Sequence, residues 1–165
     1  MKTDYIARAE KFIVEFFPYI KGLRNDADID WAVFTYNYEH KRKVIYAHGA
    51  SRRAFITSDY VIKVNYGNGH EWAGGCEEEY KLYTETIAGS EYSYLFAPIT
   101  KFTYQRKTFY IMPRVNGVGT GKYWNNLSDD ERQYINHYVC DMHRANYGNH
   151  NRKPVIIDYA MVRSR

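Results

Sequence analysis

The chain has 165 residues, 45% of them hydrophobic and 18% aromatic, with 18 tyrosines, which excludes intrinsic disorder for most of its length. A chain of this size buries roughly two thirds of its unfolded surface and needs no disulfide or metal to fold; two cysteines, Cys76 and Cys140, cannot build a disulfide framework, and a reducing, cytoplasmic setting is expected. The net charge of +4 is too weakly basic to name nucleic acid as a partner; no apolar run reaches the ~20 residues of a bilayer span, and no apolar h-region follows the N-terminus, so neither membrane association nor a signal peptide is expected.

Residues 4–17 carry Tyr5, Ile6, Ala9, Phe12, Ile13, Phe16 and Phe17 at helical spacing, and Pro18 is expected to stop that helix. From Trp31 to Val64 short runs rich in β-branched and aromatic residues (31–38, 43–49, 52–58 and 60–64) read as an antiparallel meander. Residues 65–75 hold four glycines and read as a loop. A helix follows from Cys76 to Ile87, with Cys76, Tyr80, Tyr83 and Ile87 on one stripe. Two more strands span 96–104 and 107–115, and 116–126 is a glycine-rich connector. Ser128 and Glu131 form the signature of a capping box opening another helix, whose apolar face is Tyr134, Ile135, Tyr138, Val139 and Met142. A polar segment, 143–153, leads to a short apolar strand at 154–160. The order of elements predicts an α+β fold rather than alternating βαβ units.

Two motifs fail. Gly117, Gly119, Gly121 and Lys122 suggest a phosphate loop, but a Walker A would need glycine at Asn116 and serine or threonine at Tyr123. Cys140 and His143 make one metal-type pair with no second at zinc-finger spacing.

One constellation survives. Val61-Ile62-Lys63-Val64 sets a lysine inside an apolar strand. Asp141-Met142-His143-Arg144-Ala145-Asn146 leaves a helix and enters a loop. Val155-Ile156-Ile157-Asp158 ends a short strand with a carboxylate. Each alone has an ordinary structural explanation, as an edge lysine, a turn residue or a cap. Together they match phosphoryl transfer from a nucleotide, which needs a cation on the phosphates (Lys63), a carboxylate for the hydroxyl proton (Asp141) and hard oxygen ligands for Mg²⁺ (Asn146 and Asp158).

These strings resemble the protein-kinase-like superfamily. D-M-H-x-x-N is closer to the D-L-H-x-x-N loop of aminoglycoside-phosphotransferase-like and small atypical kinases than to the H-R-D form, since Val139 and Cys140 precede Asp141. Within the superfamily, VIKV, DMHRAN and the Ile-rich strand ending in Asp158 look most like the early protein kinases of lytic bacteriophages, over about residues 45–160. The resemblance implies a bilobal kinase fold, ATP and Mg²⁺, and serine/threonine phosphorylation of host proteins or of itself in the bacterial cytosol. It implies an antiparallel-sheet N-terminal lobe and a truncated helical C-terminal lobe. The expected layout is one domain over 1–165: a helix and link at 1–30, a strand-rich lobe with one helix at 31–115, and a minimal lobe at 116–165.

Further roles follow from that chemistry. A glutamate on the helix after the lysine strand should hold the lysine against the phosphates. Of Glu77, Glu78 and Glu79, Glu79 lies nearest the apolar stripe and is the first choice, with Glu77 second. The alternative is that all three acids merely favour the helix N-terminus. The loop covering the nucleotide falls at 46–55 and keeps only Gly49 where a typical loop has two or three glycines. Residues 109–115 resemble the strand and hinge that meet adenine, with Met112 as gatekeeper, Pro113 offering its carbonyl and Val115 its N–H. After Asp158 the chain reads Tyr159-Ala160 where kinases often have Phe-Gly, and the sequence holds no activation segment. The expected function is therefore a minimal phage-type serine/threonine kinase. The alternative is a non-catalytic kinase-like module that binds and inhibits a host or defence protein, which the truncated lobe and many tyrosines favour.

Overall fold

The structure is a computed structural model that describes residues 4–49, 52–65, 75–119, 123–139, 144–150 and 152–159. Two compact units divide it, one formed by 1–76 and 100–114 and the other by 77–99 and 115–165. The class is α+β, with a five-stranded antiparallel sheet, as expected from the order of elements. No helix among the described residues is long and apolar enough to cross a membrane.

The first unit opens with two helices, α1 (Asp4–Ile20) and α2 (Asp26–His40), followed by strands β1 (Ile45–His48), β2 (Arg52–Ile56) and β3 (Tyr60–Asn65). Its sheet is completed by β4 (Thr100–Tyr104) and β5 (Lys107–Pro113), in the order β1-β2-β3-β5-β4. Alternation along the strands gives the sheet two distinct faces. Phe55, Ile62, Val64, Phe109 and Ile111 face the helices and bury Phe12, Ile13, Phe16 and Phe17 of α1 with Ile29, Val33 and Tyr36 of α2. Phe16 stands edge-on to both Tyr36 and Phe55, at 5.0 Å between ring centres in each case. That geometry suits the quadrupoles of aromatic rings.

Two expectations are corrected here. Residues 31–38 are not a strand; they lie within α2. The Asn25 side chain accepts the Asp28 N–H at 2.8 Å, Asp26 and Asp28 sit in the first turn, and Lys41 closes the helix in the left-handed region. The misreading has a physical cause. Ile29, Val33 and Tyr36 point into the core while Trp31, Phe34 and Tyr38 point outward, so apolar residues on both faces blur the helical period. Nor does Pro18 stop α1, which runs on to Ile20. A proline so near the helix end forfeits one backbone bond, and the flanking Phe16 and Phe17 hold the last turn to the core.

In the second unit, α3 (Gly75–Leu82), whose first residues belong to the first unit, widens into a turn over Tyr83–Ile87, where the Ala88 N–H reaches back five residues to the Tyr83 carbonyl at 2.8 Å. Helix α4 (Asp129–Tyr138) opens on the expected capping box. The Ser128 hydroxyl accepts the Glu131 N–H, and the Glu131 carboxylate accepts the Ser128 N–H. The polar segment expected after it contains a strand: β6 (Tyr147–His150) pairs antiparallel with β7 (Lys153–Ile156). Buried Leu95, Phe96, Ile135, Ile156 and Tyr159 make up much of the core of this unit.

Candidate functional site

Lys63 sits in β3 on the sheet face turned away from α1 and α2, and it is buried. Its cross-strand neighbours are Ala54 of β2 and Tyr110 of β5, and Lys101 of β4 lies opposite Tyr110. In the adjoining row Val61 stands between Ile56 and Met112, with Met112 buried. One face therefore presents a buried cation beside a strip of small and apolar side chains. Pro113 ends β5 opposite Tyr60, and the next N–H, that of Arg114, is spent on the Asp59 carbonyl at 3.0 Å.

Gly49 lies in the exposed β1–β2 connection, where its N–H donates to the Arg52 carbonyl at 2.9 Å. The hairpin is tied to the start of α2 by Asp26, whose carboxylate accepts the Tyr46 hydroxyl at 2.5 Å and the Arg53 Nε at 2.8 Å. The Tyr46 bond, with Arg53, holds the Asp26 carboxyl below the usual carboxylate range despite partial burial. Asn65, at the end of the lysine strand, accepts the Cys76 N–H at 2.8 Å and so fixes where α3 begins. Nothing in the sequence pattern signals that long-range cap.

Within the second unit three of the expected residues gather around the β6–β7 hairpin and the chain leaving it. Tyr147 pairs with Ile156, and one step beyond, the Ile157 N–H donates to the Asn146 carbonyl at 2.8 Å. This closes the open end of the hairpin with Asn146 on one arm and Asp158 just past the other. Asn146 is buried and Asp158 half-buried. The Tyr159 N–H donates to Glu79 Oε1 at 3.2 Å, which brings α3 to the residue following Asp158. Glu79 is wholly buried, Glu77 half-buried and Glu78 exposed. Sequence reasoning gave no role to Tyr159. Its ring packs edge-on to Phe96 and its hydroxyl donates to the Ala97 carbonyl at 2.7 Å, which anchors the segment carrying Asp158.

Val115 belongs to the linker that runs beside β6. A Cβ on Gly148 would come within 2.3 Å of Val115 Cγ1 and 2.6 Å of the Asn116 carbonyl oxygen, so only glycine admits this approach. Asn149 clamps the same linker, its N–H donating to the Asn116 carbonyl at 2.8 Å. Asp141, with Cys140 and His143, lies outside the described residues. Among the described residues no group of three or more His, Cys, Asp or Glu side chains could hold a metal ion.

No protein-family model matches the chain, and no curated protein does. Among solved structures, WbdD bound to a kinase inhibitor is similar at 17% identity and a TM-score of 0.44, over 70% of this chain and 32% of that one. A second structure of WbdD, described as a bifunctional kinase-methyltransferase, is similar at 16% identity and a TM-score of 0.41, over 67% and 29%. The ternary complex of streptomycin, ATP and APH(2″)-IIa is similar at 20% identity and a TM-score of 0.34, over 70% and 38%. The chain thus spans about a third of the length of each.

Proposed function

We propose that this chain is a minimal nucleotide-dependent phosphotransferase of the kinase-like type. The observation that carries the reading is the β6–β7 hairpin, whose open end is closed by the Ile157 N–H on the Asn146 main-chain carbonyl, one residue before Asp158. An amide oxygen and a carboxylate, held by backbone pairing at the mouth of a hairpin, are the hard donors that a nucleotide-bound Mg²⁺ takes. The order Asp141, Asn146, Asp158 supports the same reading.

In this reading Lys63 binds phosphate oxygens and Glu79 is its partner. Asn146 and Asp158 hold the cation, and Asp141 accepts the proton of the attacking hydroxyl. Gly49 covers the nucleotide, Met112 flanks the base, and the Pro113 carbonyl and Val115 N–H meet its edge. Bound Mg²⁺ and ATP would supply charge neutralisation and the transferable phosphoryl group. The residues fit that pair chemically: a buried lysine on one sheet face, and oxygen donors at a hairpin end. Catalysis of this kind is chiefly positioning and electrostatics, so a backbone bond that fixes Asn146 against Ile157, the residue before Asp158, suits a small protein. Following the resemblance to phage early kinases, the acceptor is a serine or threonine hydroxyl of a host protein or of this chain, in the bacterial cytosol.

The test is a thermal-shift titration with Mg-ATP joined to incubation with labelled ATP. The expected results are nucleotide-dependent stabilisation and protein labelling, with labelling lost in Asp158→Asn and Asp141→Asn. Stabilisation without labelling of any protein would favour the non-catalytic module. Absence of both, at millimolar nucleotide, would sink the proposal.

A further inference from the structure

Helix α2 is apolar on two opposite faces. Ile29, Val33 and Tyr36 fill the core, yet Trp31, Phe34 and Tyr38 are 68%, 60% and 81% exposed. At ~100° per residue these three, with exposed Ala27, form a single stripe nearly opposite the buried one. The Trp31 and Phe34 rings are stacked on each other, at 5.3 Å between centres and 23° between planes, so the stripe is a preformed surface. Apolar patches of this kind mark contact sites, and Trp, Tyr and Phe are the side chains that supply most contact energy.

The charges at the two ends of α2 indicate the occupant. Exposed Asp28 and Asp30 outnumber exposed Arg24 at the N-terminal end of the stripe, and exposed Lys41, Arg42 and Lys43 outnumber exposed Glu39 at its C-terminal end. A second α2 laid antiparallel would set stripe on stripe and acid end on basic end, twice over. Such a surface is complementary to itself about a two-fold axis, as an isologous interface requires. Antiparallel alignment also opposes the two helix dipoles favourably. We infer that the Trp31–Phe34–Tyr38 face of α2 is a homodimer interface in which two copies pack antiparallel through this helix. This inference stands apart from the phosphotransferase reading, because it uses none of the residues assigned there.

Sedimentation velocity across a concentration series tests it. The parent chain should pass from monomer to dimer as concentration rises. Phe34→Glu, at an exposed position, should keep the helical circular-dichroism signal and weaken association at least about tenfold. Charge reversal supplies the second measurement. Asp28→Lys with Asp30→Lys in one chain, and Lys41→Glu with Lys43→Glu in another, should each associate weakly alone and dimerise when mixed. Backbone capping of α2 by Asn25 survives the first of these, since the bond is to the Asp28 N–H. A parent that stays monomeric at every concentration overturns the inference, as does association unchanged in Phe34→Glu. A mixture that fails to associate overturns the antiparallel arrangement.

Discussion

The two units are held together by different physics. The first is an aromatic sandwich in which two helices bury phenylalanine and tyrosine rings against one face of a sheet. In the second, short elements are fastened by polar ties: the capping box of α4, the Tyr159–Ala97 bond, the Asn149–Asn116 bond, and an ionic cluster about Glu131. Glu131 is buried, and one of its oxygens accepts both the Lys153 Nζ and the Tyr94 hydroxyl at 2.6 Å. Burial opposes its ionisation, but bonds from Lys153, Tyr94 and Ser128 outweigh it and hold its carboxyl down to about 2. A unit built chiefly on apolar area depends on pH mainly through its one low carboxyl among the described residues, Asp26. A unit built on charge-assisted bonds does not tolerate changes of pH, but it can set individual backbone groups with greater precision.

The contrast can be broken from either side. The largest effect is expected at Phe16, which is 2% exposed at the centre of the aromatic cluster. Phe16→Ala should cost about 3–5 kcal/mol in chemical denaturation. Hydrogen exchange should show that loss in α1, α2 and the five-stranded sheet, and a loss confined to α4 and β7 would contradict the division.

Gly148→Ala comes next. Backbone must shift to admit the methyl group, because one of the close atoms is the Asn116 carbonyl oxygen. Overpacking of this kind costs about 1–3 kcal/mol. The β6–β7 amides should lose protection while those of the five-stranded sheet keep theirs.

The smallest effect should sharpen the comparison most. The Glu131 carboxyl is lowered from 4.5 to about 2, so it binds its proton less readily in the folded chain than in the unfolded one. Its stabilisation is therefore fully present above about pH 4.5 and is lost as the pH falls toward about 2. Lys153 is partly exposed, which moderates the total to about 1–2 kcal/mol. In Glu131→Gln that acid-dependent step should vanish from a plot of stability against pH. The remaining acid sensitivity should include Asp26 of the first unit, whose carboxyl is also held low. A wild-type acid profile in Glu131→Gln would show that the cluster carries no net stabilisation.

How much of this was legible in the sequence varied with the range of the interactions. The α4 capping box is a four-residue event, and Ser128 with Glu131 announced it. Strand β3 could be read from the β-branched neighbours of Lys63, whereas the roles of Lys63, Asn146 and Asp158 rest on chemistry and spacing and belong to the proposal. Helix α2 could not be read by period, because its outer aromatic stripe masks the inner one; the better signal was Asn25 ahead of two acids. Strand β6 was hidden because Tyr147-Gly148-Asn149-His150 has no strand composition and is held by its partner. The bond from the Tyr159 N–H to Glu79 spans 80 positions and depends on tertiary folding alone.

The alternation of β3 has a consequence for how the gene can change. Ile62 and Val64 face the aromatic core, and Lys63 between them faces away. A change of chain length that slipped β3 by one residue against β2 and β5 would turn the strand over and drive the ammonium group into a nest of phenylalanines. Such frames should be eliminated at folding, before any selection on activity applies. Lysine placement on this strand is thus proofread by the stability of the opposite face, and length variation should be confined to the connections away from it.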